Sequence, residues 1–144
     1  MLKSVNFDSS TSVYLQIENE VLFGVASGKL KPGDQLPPVQ RLVDDLGVNP
    51  NTITKAYRDL QVMGIVNSRR GMGVFISKGI EAKCREQCRK DILGRLHEVV
   101  CEAKAAGMGA GEIKALTRAC WASDASPYAE TPAALLAAAK GGRK

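Results

Sequence analysis

Hydrophobic residues in the first part of the chain recur at spacings of three and four, the periodicity of amphipathic helices. Turn-forming residues interrupt this pattern twice, at the Pro-Gly-Asp segment of residues 32–34 and at Gly47. Each interruption marks the end of one helix and precedes the start of another. The pattern therefore predicts three helices, over residues 13–27, 39–46 and 50–63, preceded by a polar and extended segment, 1–12.

The second and third predicted helices are separated by only three residues, 47–49. Asn49 is a favourable N-cap, and Pro50 suits the first position of a helix, where its missing N–H costs nothing. Two short helices joined by a tight turn that contains glycine are typical of the helix-turn-helix motif.

After Gly64 the pattern changes from helical to β-type. Apolar runs at residues 65–66 and 74–76 flank a basic, glycine-rich segment, 68–73, which predicts a β-hairpin. Three helices followed by a hairpin form a winged helix. The predicted fold class is therefore mainly α with a small β-hairpin, a winged helix-turn-helix domain over residues 7–78.

A second zone begins near Gly79. Helical patterns cover residues 80–106 and 111–122, and the alanine-rich residues 123–144 are expected to be partly disordered. The two helices cannot bury their apolar stripes on so small a domain, so residues 79–122 are predicted to form a dimerisation tail that pairs with a second copy. The residues expected at this interface are Cys88, Ile92, Leu96, Val100, Ala103, Ile113, Leu116 and Cys120.

Composition narrows the function classes. The 144 residues leave room for one modest domain and an appendage, without a separate large effector domain. No stretch is apolar enough for a membrane span or a signal peptide, so a cytoplasmic protein without membrane contact is expected.

The net charge of +5 favours a polyanionic partner, but this charge is spread along the chain. Residues 1–79 carry nine basic against seven acidic side chains, and residues 80–144 carry eleven against eight. A DNA-binding face must therefore come from local clustering.

Two local clusters offer such a face. The outward side of the third helix carries Asn51, Thr54, Lys55 and Arg58, whose side chains hydrogen-bond to bases or phosphates. At the hairpin tip, Arg69 and Arg70 supply positive charge, and Gly71 and Gly73 allow the backbone to approach DNA closely. Together they predict a recognition helix and a basic wing.

Nothing in the sequence indicates an enzyme, a metal centre or a cofactor. His97, the only histidine, has no nucleophile or paired carboxylate at a catalytic spacing. Cys84 and Cys88 are one helical turn apart, as are His97 and Cys101, but the two pairs lie too far apart to share one ion on a straight helix. We expect reduced cysteines that serve packing, with metal or thiol sensing by the tail as the alternative.

Four segments in order resemble successive signatures of the GntR-family winged helix. They are Tyr14-Leu-Gln-Ile17, LKPGDQLP at 30–37, VNPNTITKAY at 48–57 and RGMGVF at 70–75. The Asn-Pro-Asn-Thr segment and the short tail are similar to the YtrA subfamily. The resemblance implies a homodimer on a palindromic operator and a compact repressor of the kind often linked to transporter operons.

The chain departs from that family after Leu-Pro, where the family usually has Ser-x-Arg-Glu-Leu-Ala. Here Gln40 takes the place of the arginine that reaches DNA, and Arg41 takes that of the glutamate. Gln prefers adenine where Arg prefers guanine, so either the operator differs at that base or Arg41 moves the charge to a phosphate. The residues expected to contact DNA are Pro38, Gln40, Arg41, Asn49, Asn51, Thr52, Thr54, Lys55, Arg58, Arg69, Arg70, Gly71 and Gly73.

Two other function classes remain open at this stage. One is an architectural protein that binds DNA without sequence preference, and the other is a regulator whose tail senses a metal, a thiol oxidant or a metabolite. The sequence names neither an effector nor an operator.

Overall fold

The protein is described from a computed structural model that covers residues 4–133 and 135–137. Its elements, in chain order, are α1 (Val13–Ala26), α2 (Val39–Leu46), α3 (Pro50–Val62), β1 (Val66–Arg69), β2 (Gly73–Ile76), α4 (Glu81–Ala105) and α5 (Ala110–Trp121). The two strands form an antiparallel pair, with Val66 opposite Ile76 and Arg69 opposite Gly73. The expected mainly helical fold with a small hairpin is confirmed, and no helix end differs from the predicted one by more than one residue.

The chain divides into two compact units, one that extends to Lys90 and one that begins at Asp91. The first unit thus reaches beyond the domain end expected at residue 78. The reason lies in the first two turns of α4, where Cys84 and Cys88 are buried in the same core as the three helices and the wing. The partly disordered end expected for residues 123–144 falls in part on residue 134 and residues 138–144, outside the described residues.

The core of the first unit is aliphatic and is centred on α3. Ile53, Ala56 and Leu60 follow one side of this helix at spacings of three and four, and none of them is exposed to solvent. They pack with the buried face of α1, with Leu42 of α2 and with Val66 and Ile76 of the hairpin. Each isoleucine, leucine or valine among them contributes about 1.5–3 kcal/mol to folding when fully buried.

The turn between α2 and α3 depends on glycine. Gly47 has a φ of 64° and a ψ of 28°, in the left-handed region that a residue with a Cβ rarely adopts. Val48 is buried immediately afterwards, and the side-chain oxygen of Asn49 accepts a hydrogen bond from the Asn51 N–H at 2.8 Å. The predicted N-cap at Asn49 is therefore present, and the turn fixes where α3 begins.

The N-terminal segment is folded against α1. Residues 7–11 form turns and bends instead of the expected extended chain. Gln16 of α1 is fully buried, and its Nε2 donates to the carbonyl oxygens of Asn6 (2.7 Å) and Thr11 (2.8 Å). Its Oε1 accepts from the Asn6 N–H at 2.9 Å. A single buried amide thus satisfies three backbone groups and holds the segment in place.

The two buried cysteines have a packing role. Burial is the main cause that raises the pKa of the Cys84 thiol to about 11, so that it stays protonated near neutral pH. Cys101 and Cys120 are exposed. Within residues 4–133 and 135–137, no group of three or more histidine, cysteine or acidic side chains is arranged to hold a metal ion.

The Gln16 contacts generate a stability prediction. Gln16→Ala should lower the free energy of unfolding by about 1–3 kcal/mol, because it leaves buried backbone groups without partners. Urea denaturation followed by circular dichroism measures the change, with Gln61→Ala, at an exposed position of α3, as the control. Equal midpoints for Gln16→Ala and the native chain would contradict the proposed anchoring of the segment.

Candidate nucleic-acid interface

The outward side of α3 is polar and exposed along its length. Asn51, Thr54 and Arg58 are all exposed and lie on the side of the helix opposite the core residues Ile53 and Leu60. Neither the Asn51 nor the Thr54 side chain is held by another group within the described part of the chain. These two side chains are therefore free to bind an external partner, as expected from the sequence. Thr52 is half-buried, and Asn49 is engaged as the N-cap.

Lys55 is directed towards α1. Its ammonium nitrogen lies 3.1 Å from Asp59 Oδ2, one turn further along α3, and 3.6 Å from the centre of the Tyr14 ring. The Lys55 side chain keeps 53% of its surface exposed, so the two contacts orient it without removing it from solvent. Lys55 therefore ties α3 to α1, which the outward position in the sequence pattern did not indicate.

A buried carboxyl lies beside this contact. Glu18 of α1 is only 7% exposed, and its Oε1 faces no hydrogen-bond partner within the described residues. Burial first, and then the hydrogen bond with Asp59 and its charge, raise the pKa of Glu18 to about 7, against the opposing effect of Lys55. The same contacts, Lys55 first, lower the pKa of Asp59. An ionised Glu18 leaves a buried oxygen unpaired, whereas a protonated Glu18 can donate to Asp59.

Another contact from α3 holds the connector, the segment of residues 27–38 between α1 and α2, in place. Tyr57 Oη donates to the Pro37 carbonyl oxygen at 2.7 Å, and burial raises the pKa of this phenol well above its ordinary value. The bond fixes the residues that precede α2 against the recognition helix. At the other end of α3, the ammonium of Lys83 donates to the Met63 carbonyl, a favourable place for a cation because the carbonyls of a helix C-terminus carry partial negative charge.

On α2, the two residues that depart from the family pattern each have a carboxylate one turn later. Gln40 Nε2 donates to Asp44 Oδ1 at 3.1 Å, and Arg41 Nε lies 3.6 Å from Asp45 Oδ2. Both pairs are exposed, and exposed pairs of this kind contribute little to stability. Either side chain can therefore leave its carboxylate for DNA, and Pro38 beside them is exposed as well.

The wing carries its charge at an exposed tip. Arg69 and Arg70 are exposed, and the guanidinium of Arg69 lies 4.8 Å from the centre of the Phe75 ring. Gly71 and Gly73 have φ values of 76° and 118°, so both hold backbone conformations that favour glycine. The tip thus combines a stacked arginine, a second arginine and an exposed backbone, as a surface that binds phosphate requires.

Residues 13–76 match the family described as bacterial regulatory proteins, gntR family. The HTH-type transcriptional repressor YtrA of Bacillus subtilis (strain 168) is 36% identical over 100 residues, which cover 69% of this chain and 77% of YtrA. The chain belongs to the gntR family of bacterial regulatory proteins. The expected resemblance to YtrA is thereby confirmed, and the protein is a DNA-binding transcription regulator and not an enzyme.

Other relatives agree with this assignment. The uncharacterised HTH-type transcriptional regulator YhcF of Bacillus subtilis (strain 168) is 41% identical over 75 residues, 52% of this chain, and the match spans 62% of that relative. Among solved structures, a GntR family transcriptional regulator from Listeria monocytogenes is 31% identical, with a TM-score of 0.59 over 78% of this chain and 97% of that one. YtrA from Sulfolobus acidocaldarius, a GntR-family transcription factor, is 30% identical, with a TM-score of 0.53 over 67% of this chain and 99% of that one.

Three contributors to the interface were missed by sequence reasoning. They are polar side chains that contact residues distant in sequence: Glu18 contacts Asp59, the Tyr57 hydroxyl contacts Pro37, and Gln35 contacts Met72. The helical pattern carried one signal that could have indicated burial of Glu18, since this residue is adjacent to the core residue Ile17 and close to the inward side of α1.

No described helix has the length and apolar character that crossing a membrane requires.

The Glu18 contact generates a prediction on pH. Because the pKa of about 7 exceeds the ordinary value of 4.5, the folded state binds this proton more tightly, and the resulting stability is present below about pH 4.5 and lost as pH rises through 7. Glu18→Gln cannot ionise, so its stability relative to the native chain should rise from about pH 5 to about pH 8, by on the order of 1 kcal/mol.

Urea unfolding of both proteins across that range measures the difference. The lowered pKa of Asp59 acts at more acidic pH and does not enter this window. Glu20→Gln, on the same helix at a more exposed position, is the control. Parallel stability curves for Glu18→Gln and the native chain would show that Glu18 ionises freely in the folded protein.

Proposed function

We propose that the protein is a repressor that binds a palindromic operator as a homodimer, through the outward side of α3 and the wing. The observation that carries the proposal is the two-sided character of α3. Its inner residues are fully buried, while Asn51, Thr54 and Arg58 stand exposed. A recognition helix needs this arrangement, since one side must be fixed and the other must reach base edges.

The interface side chains divide into two groups by chemistry. Asn51 and Thr54 are uncharged donors and acceptors near the N-terminal end of α3, and they are suited to reading bases in the major groove. Arg58 and Arg70 carry exposed charge and are suited to phosphate. Asn49 is engaged as the N-cap and positions the start of α3. Lys55 contacts Tyr14 and Asp59, but its side chain is exposed, so it can also reach a phosphate. Gln40 and Arg41 reach DNA only by exchanging their carboxylate partners for a base or a phosphate.

The second unit supports dimerisation. Ile92, Leu96 and Val99 recur along one side of α4 with exposed fractions of 46%, 51% and 59%. A run of exposed aliphatic side chains at helical spacing favours a protein–protein contact. Leu93 and Trp121, which are 67% and 90% exposed, are further apolar surface residues outside the set expected from the sequence.

The expected interface residues differ in how much they can contribute. Cys88 is buried in the first unit and is not available to a partner. Val100, Ala103, Ile113 and Leu116 are half-buried within the single chain, and Cys120 is exposed. We therefore propose that Ile92 and Leu96 carry most of the contact, with α5 at its edge.

The alternatives have weaker support. Burial of Cys84 and Cys88 argues against a thiol sensor at that pair. Cys101 Sγ lies 3.7 Å from His97 Nε2 on the exposed surface of α4, but this pair offers only two ligands. Action in the cytoplasm, where the operator lies, and a link to a transporter operon rest on the resemblance to the family. We assign no effector.

The division of roles on DNA is testable with an operator selected from random duplexes by the native protein. Asn51→Ala should cost roughly 1–3 kcal/mol of discrimination at one or two base pairs. Arg70→Ala should weaken binding to all sequences alike and lower the slope of affinity against salt by about one, because it removes one phosphate contact. Fluorescence anisotropy titrations on operator and scrambled duplexes measure both effects.

Two results would contradict this assignment. An equal loss for Asn51→Ala on operator and scrambled DNA would exclude base reading by α3. Selected sequences without a repeated half-site would exclude the palindromic operator.

The proposed dimer contact is testable by a substitution that places a charged side chain on the apolar side of α4. Leu96→Glu should convert the protein to a monomer in sedimentation equilibrium and weaken binding to the full operator about tenfold or more, because each half-site is then bound independently. Gly94→Glu is the matched control, since it places the same side chain in open space about 200° around the helix. A dimeric Leu96→Glu protein would exclude this face of α4 from the interface.

A further inference from the structure

The wing is attached to the connector that precedes α2 by a row of backbone hydrogen bonds. Gly33 N–H donates to the Ile76 carbonyl oxygen (2.9 Å), and Ile76 N–H donates to that of Asp34 (2.8 Å). Leu36 N–H donates to the Val74 carbonyl oxygen at 2.8 Å, and Gln35 pairs with Phe75. The connector thus acts as a third strand along β2, which stabilises a two-stranded hairpin that is marginal alone.

Beyond Val74, the connection to the wing tip is made by a side chain. Gln35 Nε2 donates to the Met72 carbonyl oxygen at 2.9 Å, across 37 positions of sequence. Gly73 leaves room for this contact, since a Cβ at that position would lie 2.6 Å from Gln35 Nε2. We call the Gln35 amide, the Met72 carbonyl and Gly73 the wing latch.

The latch acts on the turn that presents the arginines. Met72 N–H donates to the Arg69 carbonyl oxygen at 2.9 Å, which closes the turn around Arg70 and Gly71. Gln35 therefore holds one end of the peptide segment whose other end bears Arg69. Without the Gln35 hydrogen bond, the wing tip would be attached only through the two strands, and Gly71 and Gly73 would allow it many conformations.

We propose that Gln35 is a positioning residue for DNA binding, which holds the wing tip in the conformation that meets the DNA backbone. The inference rests on the proposed contact between the wing and DNA. A wing tip that is already ordered in the free protein loses less conformational entropy when it binds DNA. A latched tip therefore binds more tightly than a mobile tip with the same charges. Gly73 accordingly has a second role besides close approach to DNA, because its missing side chain makes room for the Gln35 amide.

The test separates the hydrogen bond from the shape of the side chain. Gln35→Met has a similar length but cannot donate to Met72, and Gln35 is exposed, so unfolding should be unchanged. We expect operator affinity to fall three- to tenfold. In the free protein, the ¹H–¹⁵N heteronuclear NOE of the Gly71, Met72 and Gly73 amides should fall as well, while Arg70→Ala should leave it unchanged.

A double-mutant cycle shows whether Gln35 acts through the tip. In the Arg70→Ala background, Gln35→Met should cost less than twofold, because the arginine inside the turn that the latch holds is gone. A loss of the same size in both backgrounds, or native affinity for Gln35→Met, would overturn the latch while the wing contact stands. Native affinity for Arg70→Ala would overturn the wing contact itself and with it the DNA role of Gln35.

Discussion

The burial of the inner side of α3 is the constraint on which the rest of the first unit depends. Ile53, Ala56 and Leu60 have no solvent exposure, so this helix can neither rotate nor slide without opening the core. The side that remains outside is therefore fixed in direction. Asn51, Thr54 and Arg58 on that side lie outside the core, so their chemistry can suit a DNA sequence without any change in the packing.

Around that apolar contact, polar groups add direction that hydrophobic burial does not give. The Gln16 amide orients the N-terminal segment, Tyr57 joins α3 to the connector, and Lys55 with Asp59 joins it to α1. Glu18 is the member of this set with an unpaired oxygen. Protonation of Glu18 reduces the free-energy cost of burying this carboxyl group. The contact between α1 and α3 therefore includes one group that titrates near neutral pH.

The recognition helix and the wing are held by different physical means. The helix is fixed by side-chain packing, which is cooperative and hard to perturb by one surface substitution. The wing is fixed by an edge of backbone hydrogen bonds and by one amide at its tip. An exposed hydrogen bond contributes little to global stability, but it can decide the conformation of a segment with two flexible glycines. For this reason Gln35, a residue outside both α3 and the wing, can influence the conformation of the wing tip.

The sequence by itself determined the elements and their order, because helix starts, stops and turns depend on residues a few positions apart. Asn49, Pro50 and Gly47 specify the helix-turn-helix corner locally, and the apolar periodicity specifies which side of α3 is buried. It also supplied the exposed candidates Asn51, Thr54 and Arg70.

Tertiary structure decided which polar residues serve the fold. Lys55 contacts Tyr14 and Asp59 while its side chain stays half exposed, Cys88 was expected in a dimer interface and lies in the core, and the Gln35 amide contacts the wing tip. These outcomes depend on the distance between residues far apart in sequence, which no local pattern specifies. The partner of a polar side chain is set by the packing of the helices that carry it, and that packing exists only in the folded chain.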